Sequence, residues 1–149
     1  MIAADRLGMD LSEIEFIQGD TDKVADGVGT YGSRSTQLGG SAVHDAAGVV
    51  VDKALRIAAD LLEAAVDDVM LDTDTGQFHV VGSPTVSRTW AEIATASNEG
   101  ELEAESKENR KCTYPFGAHV AVVEVDIETG HVRLQRIVTC EAAGAIINP

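Results

Sequence analysis

Val43, Ala46, Ala47, Val50, Ala54, Ile57, Ala58, Leu61, Leu62 and Ala65 recur at steps of three and four residues. That spacing lays them along one stripe of an α-helix, and it predicts a single helix over 33–65. An apolar stripe of this length is core, so the fold must lay a second layer against it. Gly39, Gly40 and Gly48 weaken the first half of the helix by about 1 kcal/mol each relative to Ala. Glycines kept at that cost predict close approach of another backbone or of a ligand.

The flanking segments show what that layer is. Residues 1–8 read as the last turns of a helix stopped by Gly8. Ile14 to Gln18 alternates well enough to predict a strand, and the polar, glycine-rich residues 19–32 predict a long loop. Two later segments echo one another, 69–81 around Asp72-Thr73-Asp74-Thr75-Gly76 and 118–139 around Asp126-Ile127-Glu128-Thr129-Gly130. In each, β-branched residues flank a short acidic turn that ends in Gly, which predicts a hairpin. In the second, Val120 and Val122, then Val132 and Leu134, alternate as half-buried strands do. Between the hairpins, Thr89 and Glu92 form a capping box that opens a short helix through about Ala96. Residues 97–111 are polar and predict a loop or an edge strand. The expected fold class is α+β, one long helix packed on antiparallel sheet made of hairpins, with 1–149 as one domain.

Composition narrows the function. With 149 residues, 44% apolar and 24% charged, the chain has the balance of an ordinary soluble globular domain. No apolar run approaches the roughly 20 residues that span a bilayer, and the first residues lack the apolar stretch of a signal peptide. A cytoplasmic setting is therefore expected. A formal charge of −14 repels phosphate backbones and anionic lipid heads, so neither nucleic acid nor membrane is an expected partner. Cys112 and Cys140 form no CxxC pair, and they are expected to be buried free thiols in a reducing compartment.

Gly27-Val28-Gly29-Thr30-Tyr31-Gly32 fits the G-x-G-x-x-G pattern, but a nicotinamide fingerprint needs its first glycine directly after a parallel strand. Here a polar stretch intervenes, and no second parallel strand follows the long helix. The physics of the next residues is more specific. Gly32-Ser33-Arg34-Ser35-Thr36 stands where the long helix begins. The first turn of a helix carries about four unpartnered N–H groups and roughly half a positive charge. Hydroxyls and the planar guanidinium of Arg34 add donors, a set that favours phosphate or pyrophosphate. The alternative is that Ser33 or Ser35 merely caps the helix while Arg34 points to solvent. Asp72 to Gly76 lacks the later acidic positions of a calcium loop. His44, His79, His119 and His131 show no H-x-x-x-H pairing; His44 alone lies near the glycine-rich segment. No nucleophile–base pair stands out, so no catalytic and no metal-binding residue is expected.

Gly19-Asp20-Thr21-Asp22 followed by Gly29-Thr30-Tyr31-Gly32-Ser33-Arg34-Ser35-Thr36 strongly resembles the large subunits of the xanthine oxidase/aldehyde oxidase family of molybdenum hydroxylases. The nearest likeness is to their aerobic carbon monoxide dehydrogenase-like branch. Ala118-His119-Val120-Ala121-Val122-Val123-Glu124-Val125-Asp126, then Glu128-Thr129-Gly130, and Ile147-Asn148-Pro149 match in the same order. The resemblance covers nearly the whole chain. It implies part of a larger molybdopterin-binding domain, in an oxidoreductase acting on aldehydes, purines or carbon monoxide with water as oxygen source. It also implies molybdopterin, commonly as its cytosine dinucleotide, contacted by Thr30, Gly32, Ser33, Arg34, Ser35 and Thr36, and by Asn148. Implied partners are the rest of the large subunit together with iron–sulfur and FAD subunits or domains.

The chain also departs from the family. Where the family often has an Asp-Cys-Gly-like stretch, this chain has Glu141-Ala142-Ala143-Gly144. It contains neither the upstream glycine-rich, Phe-containing loop nor the downstream Gly-x-Gly-Glu that supplies the family's catalytic glutamate. The expectation is an internal fragment, inactive and cofactor-free by itself, and prone to self-association through surfaces left uncovered. Two other readings compete. One is a standalone α+β binding or assembly module with a phosphate-binding helix start. The other is a small phosphate-binding domain unrelated to the family.

Overall fold

The computed structural model describes every residue except 25, 26, 28, 108–112 and 147–149. Residues 1–110 and 111–149 form two compact units.

The first unit is built on the long helix. Six π-helical residues, Ser35–Gly40, run directly into the 22-residue α-helix Ser41–Leu62 (α2). The stripe therefore forms one helix, ending three residues earlier than its pattern predicts. Glu63 terminates it in the left-handed region, with φ 52°, and the N–H of Ala64 donates to the Ala59 carbonyl. The face that becomes fully buried is mostly alanine: Ala47, Val51, Ala54, Ala58 and Ala59. Such small side chains let a sheet come close.

That sheet has three antiparallel strands in sequence order, Val69–Asp72 (β1), Gln77–Val80 (β2) and Ser83–Thr89 (β3). The predicted first hairpin is β1–β2, in register from Val69 opposite Val80 to Asp72 opposite Gln77. Sequence reading missed β3. It is an edge strand whose residues are mostly exposed, so it carries little apolar alternation, and an edge position tolerates its Pro84. Phe78 and Ile93, both fully buried, join Ala54, Ala58, Ala59 and Val69 as the core. Ile93 lies on the short helix Trp90–Ala96 (α3), opened as predicted by the Thr89–Glu92 capping box. The Thr89 N–H and hydroxyl both donate to the Glu92 carboxylate and hold it below the usual carboxylate range.

The opening helix, Ile2–Leu7 (α1), ends at Gly8 with φ 62°. It accounts for two of the helix glycines. A β-carbon on Gly40 would lie 2.8 Å from Ile2 Cδ1, and one on Gly48 would lie 3.4 Å from Arg6 Nη2. The close approach is therefore by α1 side chains, where the sequence pointed to a backbone or a ligand. The other end of α1 is fixed by Trp90, whose indole N–H donates to the Leu7 carbonyl at 2.8 Å while its ring meets Phe78 edge-on at 4.8 Å. Ile14 to Gln18 is a correction. It forms no strand, because extended backbone becomes a ladder only opposite a partner, and none pairs with it among the described residues. Residues 97–107 form turns and coil, the loop of the two readings for 97–111, and 108–111 lie outside the described residues.

The second unit is the predicted later hairpin, Phe116–Val125 (β4) and Val132–Ala142 (β5), with a register shift between Val122 and Val123. Its turn repeats that of β1–β2. Asp126 accepts from the N–H groups of Glu128 and Thr129, as Asp72 accepts from that of Asp74. Gly130 and Gly76 each donate back to the carbonyl of their aspartate at 2.8 Å, with φ 71° and 66°. Hydrogen bonds from Thr129 and Glu128 hold Asp126 below the usual carboxylate range. The alternation here predicts half-buried strands, yet every residue of β4 and β5 is exposed. A two-stranded ribbon buries a face only against another layer, and this unit has none among its described residues. Cys140, expected to be buried, is accordingly an exposed free thiol; Cys112 lies outside the described residues.

Two substitutions test this packing. Phe78→Ala should cost about 3–5 kcal/mol, the range for truncating a buried aromatic, read from urea midpoints at unchanged slope; a loss under about 1 kcal/mol would contradict the core assignment. Gly76→Ala should also destabilise, since its β-carbon would lie 2.5 Å from the Gly8 carbonyl oxygen at a positive φ. Gly130→Ala has no atom within 4 Å to meet and should cost less, which thermal melts of the two variants would show.

Candidate functional site

The loop before α2 reverses through successive left-handed residues, Gly32 at φ 62° and Ser33 at φ 51°. Glycine takes this conformation freely, whereas Ser33 holds it against a steric cost. The reversal makes Arg34 the N-cap of the helix, and no side chain caps it. The simple capping alternative for Ser33 and Ser35 is thus not what occurs. Ser35 Oγ instead donates to Thr30 Oγ1 at 3.1 Å, tying the loop to the helix start. Arg34 is half-buried, and its guanidinium carbon stands 3.9 Å from the centroid of the Tyr31 ring. Stacking of this kind presets the planar fork while leaving its edges able to donate.

Thr30, Arg34 and Ser35 line one cavity of about 530 Å³. Gly32, Ser33 and Thr36 shape the surrounding backbone without lining it, and Asn148 lies outside the described residues. The cavity also takes in four residues that sequence reading did not assign to a site: Phe16, Gln18, Leu38 and Val43, the last read only as part of the apolar stripe. A signal for the first two was present, because alternation along 14–18 puts 16 and 18 on one side of an extended chain. Gly39 and Gly40, in the π-helical turns, complete the wall without side-chain bulk. Turns of this type widen a helix locally and recur at functional sites.

Arg34 is the one charged group among the described lining residues. In a chain of net charge −14, this places a local cation where the surrounding field is negative. A fork donor, two hydroxyls and the helix start together suit an anion with several acceptor oxygens. His44, at the same end of α2, is exposed and paired with Asp45 at 3.3 Å. Every described strand pair is antiparallel, so Gly27 to Gly32 does not follow a parallel strand as a nicotinamide fingerprint would.

A model of the molybdopterin cofactor-binding domain matches residues 1–149. The chain is 36% identical to the gamma subunit of the 6-hydroxypseudooxynicotine dehydrogenase complex of Paenarthrobacter nicotinovorans, over 99% of this chain and 20% of that one. It is 37% identical to the carbon monoxide dehydrogenase large chain of Afipia carboxidovorans, over 99% and 19%. A crystal structure of a copper- and molybdenum-containing carbon monoxide dehydrogenase, in its carbon monoxide-reduced state, superposes with a TM-score of 0.80 at 35% identity, over 99% of this chain and 19% of that one. The chain thus spans about a fifth of the length of these relatives. With the match running from end to end and the same α+β layering beneath it, the chain belongs to the molybdopterin cofactor-binding domain family, among the molybdenum hydroxylases that its Gly29 to Thr36 segment resembles.

Proposed function

We propose that this chain contributes the phosphate-gripping wall of a molybdopterin site in a molybdenum-dependent oxidoreductase. The observation that carries this reading is the cavity in which Thr30, Arg34 and Ser35 meet at the start of a 22-residue helix and its π-helical lead. These donors fit the phosphate of the pterin, and the cavity size suits part of such a ligand. Gly32 and Ser33 hold the loop that presents them, Thr36 stands in the helical turn that follows, and Asn148 is carried as a further contact by family resemblance. The cytosine dinucleotide form of the cofactor belongs to the same proposal, because its pyrophosphate gives the fork of Arg34 more oxygens to pair. When bound, the cofactor supplies the redox chemistry of the family, and the residues here bind and orient it.

The remaining parts of the proposal rest on the family resemblance, and the share of its relatives that the chain covers supports the first of them. Residues 1–149 are read as part of one larger cofactor-binding domain, completed by the rest of a large subunit. Partners in the whole protein are iron–sulfur and FAD subunits or domains, in the cytoplasm. No helix among the described residues is long and apolar enough to cross a membrane. The substrate of the parent is a small molecule of the aldehyde, purine or carbon monoxide type. The reading as an unrelated phosphate-binding domain is set aside by the family match.

Calorimetric titration with pyrophosphate tests the wall directly. Arg34→Ala should weaken binding by at least about tenfold, the loss of one charge-assisted contact, and Arg34→Lys should recover only part of it, since a point charge lacks the fork. Equal affinity in all three proteins would contradict the proposal. Because the chain supplies one wall, it should purify without stoichiometric molybdenum and show no turnover of aldehyde, hypoxanthine or carbon monoxide; elemental analysis finding about one atom per chain would overturn that division of labour.

A further inference from the structure

Gly39 and Gly40 wall the Arg34 cavity with backbone alone. Both stand in the π-helical lead Ser35–Gly40, and glycine is the poorest helix former after proline. Turns of this composition keep their shape through what packs on them rather than through their own propensity. The two glycines meet different surroundings. A β-carbon on Gly39 would find nothing within 4 Å, whereas one on Gly40 would lie 2.8 Å from Ile2 Cδ1 and 3.8 Å from Thr36 Cγ2. At Gly40 the wall is thus one backbone thick, between the cavity and the half-buried Ile2 of α1. α1 depends on contacts in turn. Its six residues are too few for a helix stable by itself, and it is held by Ile2 at Gly40, Arg6 at Gly48 and the Trp90 indole at the Leu7 carbonyl.

We propose that Ile2 is a positioning residue for the anion site: through it α1 braces the glycine wall, so that docking of α1 and filling of the cavity stabilise one another. The proposal rests on the anion-site reading above and adds how that site is held in shape. An anion drawn to Thr30, Arg34 and Ser35 orders the turns that carry two of these residues from the cavity side. Ile2 orders the same turns from the other side, at Gly40. Whichever acts first leaves less backbone freedom for the second to remove, which makes the two favour each other without any contact between them. Coupling of this kind is reciprocal, so α1 is held more firmly in the loaded protein than in the free one. Trp90 reads that difference from a distance, because it grips the far end of α1 and does not line the cavity.

The test titrates pyrophosphate calorimetrically into the 149-residue chain and its Ile2 variants. Ile2→Ala should weaken binding about fivefold, the low end of couplings between sites. Ile2→Val, which loses only the methyl that meets Gly40, should weaken it less in the same direction, and Ile2→Leu should stay within about twofold of the unaltered chain. Exchange of the Trp90 indole proton, followed by nuclear magnetic resonance, is the second readout; it belongs to the chain's only tryptophan. Saturating pyrophosphate should slow that exchange severalfold in the unaltered chain and leave it unchanged in Ile2→Ala. If Ile2→Ala does not fold, the graded losses of Ile2→Val and Ile2→Leu carry the comparison. Full pyrophosphate affinity in the Ala or Val variant overturns the brace while the anion site stands. A weakened variant with an indole proton indifferent to pyrophosphate in the unaltered chain also overturns it, since Ile2 would then serve the fold alone. Failure of the unaltered chain to bind pyrophosphate overturns both readings.

Discussion

The alanine face of α2 is the constraint on which the first unit depends. Ala47, Ala54, Ala58 and Ala59 keep that side of the helix thin, and Val51 is the largest buried side chain it offers. The bulk of the core therefore comes from opposite, from Phe78 on the central strand and Ile93 on α3. Close packing leaves little freedom in such an arrangement: a large side chain on the thin face would displace the sheet, and a small one at Phe78 would leave a cavity. The same helix carries the site at its first turns, so the packing that fixes its axis also fixes where its first N–H groups point.

Elements with a local cause were legible in the sequence. Both acidic turns, the Thr89–Glu92 box, the stop at Gly8 and the long stripe each depend on residues within a few positions of one another, and all appear in the structure. Where a second segment had to agree, reading a single segment failed. Ile14 to Gln18 has the pattern of a strand but no ladder partner, and β3 has a partner but little pattern. Alternation in β4 and β5 reports a preference for burial, and the hairpin is exposed because burial is decided by what lies against it.

The site was legible in the same uneven way. Hydroxyls, a glycine and an arginine at a helix start were the grounds for expecting an anion, and of those residues Thr30, Arg34 and Ser35 line one cavity. Nothing local linked Phe16 or Gln18 to them, since a polar loop separates the two groups in sequence and only the fold brings them to one wall. Nor did the pattern reveal that Tyr31 would stack on Arg34, because that contact depends on the left-handed turn at Gly32 and Ser33. The glycines of the long helix divide. Gly48 makes room for Arg6 of α1, whereas Gly40 meets Ile2 of α1 and, with Gly39, also lines the cavity.

Trp90 is the only tryptophan in the chain, and it touches two parts of the first unit at once. Its ring edge rests on Phe78 in the core, and its N–H holds the last carbonyl of α1. An indole held this way is half-buried and hydrogen-bonded, so the colour and intensity of its emission follow the state of that junction. Release of α1 would free the N–H to water before the core had opened, whereas global unfolding would expose the ring as well. The molecule thus carries its own optical reporter, able to separate peeling of the first helix from collapse of the layers beneath it.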